Sequence, residues 1–140
     1  MKLHRMYVCE DAEDGHIVGI SLTLRTIAQE VVIKHQMETL GTNQSANCTP
    51  YFIEGESYLE YMEVTSSTYI DSIVIKLSTN YYSFWGSKKA DDISQTTRWD
   101  FDKEWQLVGM SGTLSKNGVL SLTPLTYSME CAERALGIQI

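Results

Sequence analysis

Cationic residues are the first shortage. The 140-residue chain carries 11 Lys and Arg against 18 Asp and Glu, a net charge of −7, and its longest basic run is Lys88-Lys89. That balance argues against a nucleic-acid partner, because phosphate binding draws on clustered cations that displace counterions. It disfavours anionic membrane surfaces for the same reason. Long apolar runs are also missing: nowhere do about 18 apolar residues follow one another, so no membrane-spanning helix is expected. The first fifteen residues, MKLHRMYVCEDAEDG, hold no apolar stretch of signal-peptide length. Taken as a complete product, the chain is expected to be soluble, intracellular and cytoplasmic.

Cysteine is sparse and odd in number. Cys9, Cys48 and Cys131 stand far apart with no CxxC pair, a pattern of neither a zinc site nor a disulfide framework. Reduced thiols are expected, although the sequons Asn43-Gln44-Ser45 and Asn47-Cys48-Thr49 point the other way. The histidines, His4, His16 and His35, show no HxH or HExxH spacing, so no metal site is expected and each is read as a surface or turn residue. The acidic run Glu10-Asp11-Glu13-Asp14 lacks the alternating ligands and distal glutamate of an EF-hand loop and reads as a solvated turn. There is no GxSxG, phosphate-cradling loop or dinucleotide fingerprint, so neither an enzyme nor a cofactor is expected.

What is present points to strands. With 43% hydrophobic residues the chain fits one domain, and at this length it buries on the order of two thirds of its unfolded surface. Val, Ile and Thr are plentiful, Ala is scarce and Pro occurs twice. Apolar residues alternate at Val18, Ile20, Leu22 and Leu24, which predicts a strand with one wet face, and again at Ile73, Ile75 and Leu77. Further strands are predicted over Ile27–His35, Tyr51–Ile53, Tyr58–Val64, Gln106–Met110 and Val119–Tyr127, with Pro124 at an edge or bulge. Turn chemistry separates them at Glu13-Asp14-Gly15, Leu40-Gly41-Thr42-Asn43, Glu54-Gly55-Glu56, Gly86-Ser87 and Asn117-Gly118, the last a hairpin signal. Short strands at this spacing predict an all-β sandwich, barrel or prism. Ser128–Leu136 has near-helical spacing and reads as a C-terminal appendage or a docking segment.

Four stretches, in order, resemble the jacalin-related lectin family: Asp14-Gly15-His16-Ile17-Val18-Gly19-Ile20, Gly55-Glu56-Ser57-Tyr58-Leu59 with Met62-Glu63-Val64, Ser72-Ile73-Val74-Ile75-Lys76 through Thr79 to Gly86, and Leu107-Val108-Gly109-Met110-Ser111-Gly112. The resemblance implies a β-prism of three four-stranded antiparallel sheets. It divides the chain into a lead (1–13), a jacalin-like domain (14–127) and an appendage (128–140).

The resemblance also implies where a sugar would bind: at one prism end, through an early glycine, an aromatic rim and a late GxxxD motif. An aspartate suits that role because its carboxylate accepts hydrogen bonds from adjacent hydroxyls. Here Cys9 stands at the early glycine's position. Aligned with a two-residue insertion, Asn117 takes the late glycine's place, beside Gly118, and Ser121 the aspartate's; without it, Ser115 and Val119 do. Tyr82 matches a family aromatic, with Tyr81, Phe84 and Trp85 beside it. These aromatics could stack on sugar faces, or two or more of them could fill the prism end or a protein interface. The expected function is therefore a non-enzymatic binding or structural subunit of a larger protein assembly, with its usual sugar site degenerate. The alternative is a carbohydrate-binding lectin using Tyr81–Trp85. With a charge of −7, a protein partner with a basic face is expected.

Overall fold

A computed structural model describes residues 2–25, 32–38, 46–87, 94–115 and 117–128. They form ten strands: β1 (Lys2–Asp11), β2 (Ile17–Arg25), β3 (Val32–Glu38), β4 (Ala46–Phe52), β5 (Leu59–Ser66), β6 (Ile70–Leu77), β7 (Tyr82–Gly86), β8 (Gln95–Asp100), β9 (Trp105–Ser115) and β10 (Gly118–Ser128). No helix occurs among the described residues. The predicted helical appendage, from residue 129 onward, and the predicted turn at 40–43 lie outside them, as does most of the predicted strand 27–35.

Three antiparallel sheets result, in the orders β3-β2-β1-β4, β7-β6-β5-β8 and β10-β9. The expected prism is there, with two of its sheets four-stranded and the third showing two strands among the described residues. Period-two alternation turns one face of each sheet inward. The inward residues meet in a single core that includes Met6, Val8, Ile20, Leu22, Met62, Ile73, Ile75, Leu107 and Val119. Each such side chain contributes about 1.5–3 kcal/mol by leaving water.

The segment expected as a lead is instead a central strand. β1 lies between β2 and β4 and sends Leu3, Met6 and Val8 into the core. A register shift between Leu3 and Arg5 breaks the alternation, since one extra residue flips the phase of the residues after it. The same device between Leu59 and Tyr61 explains why β5 buries Leu59, Met62 and Val64 rather than every second residue. β2 also departs from expectation, because its supposed wet face is buried. Ser21 and Thr23 sit across from Tyr7 and Arg5, and these larger side chains shield the smaller ones; the Arg5 Nη2 donates to Thr23 Oγ1 at 3.4 Å.

The cysteines correct a second expectation. Antiparallel register sets Cys9 of β1 directly opposite Cys48 of β4, and the two are joined as a disulfide with Cα atoms 4.0 Å apart. Such bonds belong to oxidising surroundings, which runs against the reduced, intracellular reading. Cys131 lies outside the described residues.

Edge strands of the two larger sheets meet through Trp85. Its indole N–H donates to Thr49 Oγ1 at 3.0 Å, and Tyr51 meets its ring edge-on at 6.1 Å. The Pro124 expectation holds: β10 has an edge among the described residues, and a register shift follows at Leu125.

Candidate functional site

Three chain reversals meet at one end of the prism: the β1–β2 loop, the β5–β6 turn carrying Tyr69, and the β9–β10 turn carrying Asn117. They line a cleft of about 290 Å³ formed by Asp11, Glu13, Asp14, His16, Val18, Tyr69 and Asn117. The first loop is shaped by its own aspartates. Asp11 Oδ1 accepts the backbone N–H groups of Glu13 (2.8 Å) and Asp14 (3.3 Å), and Asp14 Oδ1 accepts that of His16 at 3.2 Å. These are Asx-type turns, in which a short carboxylate replaces a missing backbone partner.

His16 is the hub. Expected at the surface or in a turn, it is buried, because all three reversals close over it. Its Nδ1 contacts Asp14 Oδ1, its Nε2 lies 2.6 Å from the Asn117 carbonyl oxygen, and its ring stacks on Tyr69 at 4.7 Å and 20°. Gly118 makes the packing feasible: a Cβ there would fall 2.8 Å from His16 Cδ2 and 2.9 Å from Tyr69 Cδ1.

Charge follows from this geometry. Desolvation opposes protonation of His16, but the Asn117 carbonyl and the Asp14 carboxylate together outweigh it and raise its pKa above the ordinary 6.5. Desolvation likewise opposes ionisation of Asp14, and hydrogen bonds from the His16 backbone and ring reverse it, so its pKa falls below 3.8. Donor-type atoms of Asp11, Asp14 and His16 lie within 4.8 Å of one another. They are committed to turn amides, to each other and to Asn117, so the trio is a hydrogen-bonded clamp. The Asp14 side chain is nonetheless 65% exposed and faces the cleft.

The residues expected from sequence do not share one place. Asn117 lines the cleft, and Gly118 is packed beneath it against His16. Ser121 lies along β10, its Oγ 2.8 Å from Thr113 Oγ1 and accepting the Thr113 N–H at 3.1 Å. Tyr82 pairs with Lys76 at the far end of β6, whereas Tyr69 adjoins its start. At about 3.3 Å per residue Tyr82 stands about 23 Å along the strand from Tyr69, and Phe84 and Trp85, opposite Val74 and Ile73, about 13–17 Å. Alternation along β7 then divides them: Tyr82 and Phe84 point outward, and Trp85 turns into the core with 2% exposure. Tyr82 meets Tyr61 edge-on at 6.3 Å, and the Arg98 guanidinium covers Tyr61 at 3.8 Å. Sequence reasoning missed Asp11, Asp14, His16 and Tyr69 as a group. The available signal was the placement of the early and late loops at one prism end.

The fold is that of the jacalin-related lectins, a β-prism. No protein-family profile and no curated protein matches the chain. Solved structures do. The lectin MPA complexed with T-antigen disaccharide aligns with a TM-score of 0.70 and 12% identity over 92% of this chain and 93% of that one. The agglutinin of Calystegia sepium aligns at 0.71 and 12% over 91% and 83%, and single-chain recombinant jacalin at 0.71 and 10% over 92% and 82%. At such identities the shared property is the fold.

Proposed function

We propose that the protein is a non-enzymatic carbohydrate-binding module that takes its ligand in the cleft of Asp11, Glu13, Asp14, Tyr69 and Asn117. One observation carries this reading: three reversals converge on a polar cleft in which Glu13 and Asp14 are exposed. Carboxylates in that setting accept paired hydrogen bonds from vicinal hydroxyls, each worth about 1.5–3 kcal/mol when charge-assisted. The carboxylate comes from the early loop, not from the late motif, where Ser121 stands. The lectin neighbours, one of them carrying a disaccharide, support the reading.

A second reading is a binding or structural subunit of a larger assembly, with the usual sugar site degenerate. It is favoured by the outer face of the β7-β6-β5-β8 sheet, where Tyr82 is 58% exposed beside Tyr61, Phe84 and Arg98. The net charge of −7 suits a partner with a basic face.

A glycan array followed by calorimetry separates the two. Binding that falls at least tenfold in Asp14→Asn and is unchanged in Tyr82→Ala is the expected result. Loss in Tyr82→Ala alone would move the ligand to the sheet face. Flat titrations across the array, with co-purifying protein lost in Tyr82→Ala, would refute the carbohydrate reading in favour of the subunit.

A further inference from the structure

His16 faces acceptors from both ring nitrogens, and this has a chemical consequence. The Asp14 carboxylate and the Asn117 backbone carbonyl can only accept hydrogen bonds, whereas a neutral imidazole carries one N–H. Only the imidazolium donates to both. In the neutral ring one nitrogen lone pair points at an oxygen; the Asp14 carboxylate, an anionic and stronger acceptor than the Asn117 carbonyl, keeps the N–H at Nδ1, so the lone pair falls at Nε2 and its 2.6 Å contact with the Asn117 oxygen becomes repulsive.

We propose that His16 is a positioning residue for the cleft: as the imidazolium it ties the β1–β2 loop to the β9–β10 turn, and its deprotonation releases Asn117 and opens the cleft. The inference rests on the carbohydrate reading only where it concerns ligand affinity; the tie itself is independent of any ligand.

The surroundings favour such coupling. From its own loop, Asp14, Asp11 and the exposed Glu13 face the site with negative charge. From the β5–β6 turn comes the uncharged Tyr69 ring, stacked on the imidazole, and from β2 the apolar Val18. The β9–β10 turn offers a carbonyl dipole in place of a titrating side chain, among the described residues. Ser115 Oγ accepts the Asn117 N–H at 3.2 Å and donates to the Gly118 carbonyl at 3.4 Å, so the turn is held within β9–β10, and the His16 bond is a tie from it to the β1–β2 loop to which Gly118, directly under the ring, adds no side chain. The raised pKa of His16 agrees with the geometry and puts the change above pH 6.5.

Nuclear magnetic resonance on the intact chain tests the tie without any glycan. The His16 ring signals are expected to titrate with a midpoint above 6.5, and the backbone amide of Gly118 and the ring protons of Tyr69 to follow the same curve. Asp14→Asn should lower the midpoint, and His16→Gln should abolish the titration of the Gly118 amide. A His16 midpoint at or below 6.5 in the native chain, or a Gly118 amide that does not follow His16, would overturn the proposal. With a glycan hit from the array, affinity should fall several-fold from about pH 5.5 to about pH 8.5 and lose that dependence in His16→Gln; an affinity flat across this range in the native chain would equally overturn it. An array without hits sinks the carbohydrate reading alone, because the resonance titration still decides the tie.

Discussion

Replacing Gln106 with methionine keeps side-chain length and removes an amide on which two sheets depend. Gln106 belongs to β9, yet its side chain reaches β5: Nε2 donates to the Leu59 carbonyl at 3.0 Å and Oε1 accepts the Leu59 N–H at 3.1 Å, with Nε2 also directed at the Asp102 carbonyl. The β5–β8 ladder begins only at Tyr61, so beyond it the glutamine amide completes the pairing that β8 does not extend to Leu59. Both residues are buried, with 0% exposure at Leu59 and 3% at Gln106. The thioether of Gln106→Met would strand the Leu59 N–H and C=O away from water, each at about 1–3 kcal/mol, partly offset by about 1 kcal/mol of apolar burial. The expected loss is about 1–5 kcal/mol, against the 5–15 kcal/mol typical of a domain. In urea, with a slope of about 1.5–2 kcal/mol/M, the midpoint falls by about 0.5–3 M. Hydrogen exchange of the Leu59 amide should accelerate in parallel. A midpoint shift below about 0.3 M with Leu59 still protected would refute the reasoning, since another partner would then satisfy that peptide group.

The other expectations concern the cross-link and the cleft. The Cys9–Cys48 bond closes a sequence separation of 39, so a Cys9→Ser/Cys48→Ser variant should lose roughly 4 kcal/mol by chain entropy, read as a lower urea midpoint that reductant no longer changes. Gly118→Ala drives a Cβ into the His16 and Tyr69 rings and should cost about 1–3 kcal/mol, with the stacked-ring chemical shifts lost. Because the folded pKa of His16 is raised, its contribution to stability is complete below pH 6.5 and disappears as pH rises through the folded value. The depressed pKa of Asp14 makes its share complete above about pH 3.8 and lost as pH falls through the folded value. Thermal melts from about pH 3 to about pH 9 should therefore show a plateau between these limits, and His16→Gln should remove the decline above pH 6.5.

Much of the prism was legible because alternation survives in single strands. Val18–Leu24 and Ile73–Leu77 fall inside β2 and β6, and Asn117-Gly118 sits at the β9–β10 reversal. β1 was hidden by the register shift that puts Leu3 and Met6 three apart. β8 was hidden because its residues are exposed on both faces, Trp99 alone being half-buried, and so show no contrast. The cysteine pair was invisible for a different reason: residues 39 apart become neighbours only through the β1–β4 register, which no local pattern encodes. His16 and Tyr69 were equally beyond reach, being far apart in sequence and joined by closure of the prism end. Of the proposed site, the loops could be read and the residue pairings could not.

The meeting of two sheet edges at Trp85 has a practical consequence. Of the three tryptophans, Trp85 is buried at 2% exposure, Trp99 is half-buried and Trp105 is 50% exposed. An indole held in an apolar setting, with its N–H on Thr49 and Tyr51 against its edge, is an internal fluorophore placed where β7 adjoins β4. Its emission reports whether those two sheets are docked, separately from whether either sheet is folded. Separation of the sheets with their strands intact would redden that emission without loss of strand content, so the molecule carries its own optical gauge of assembly.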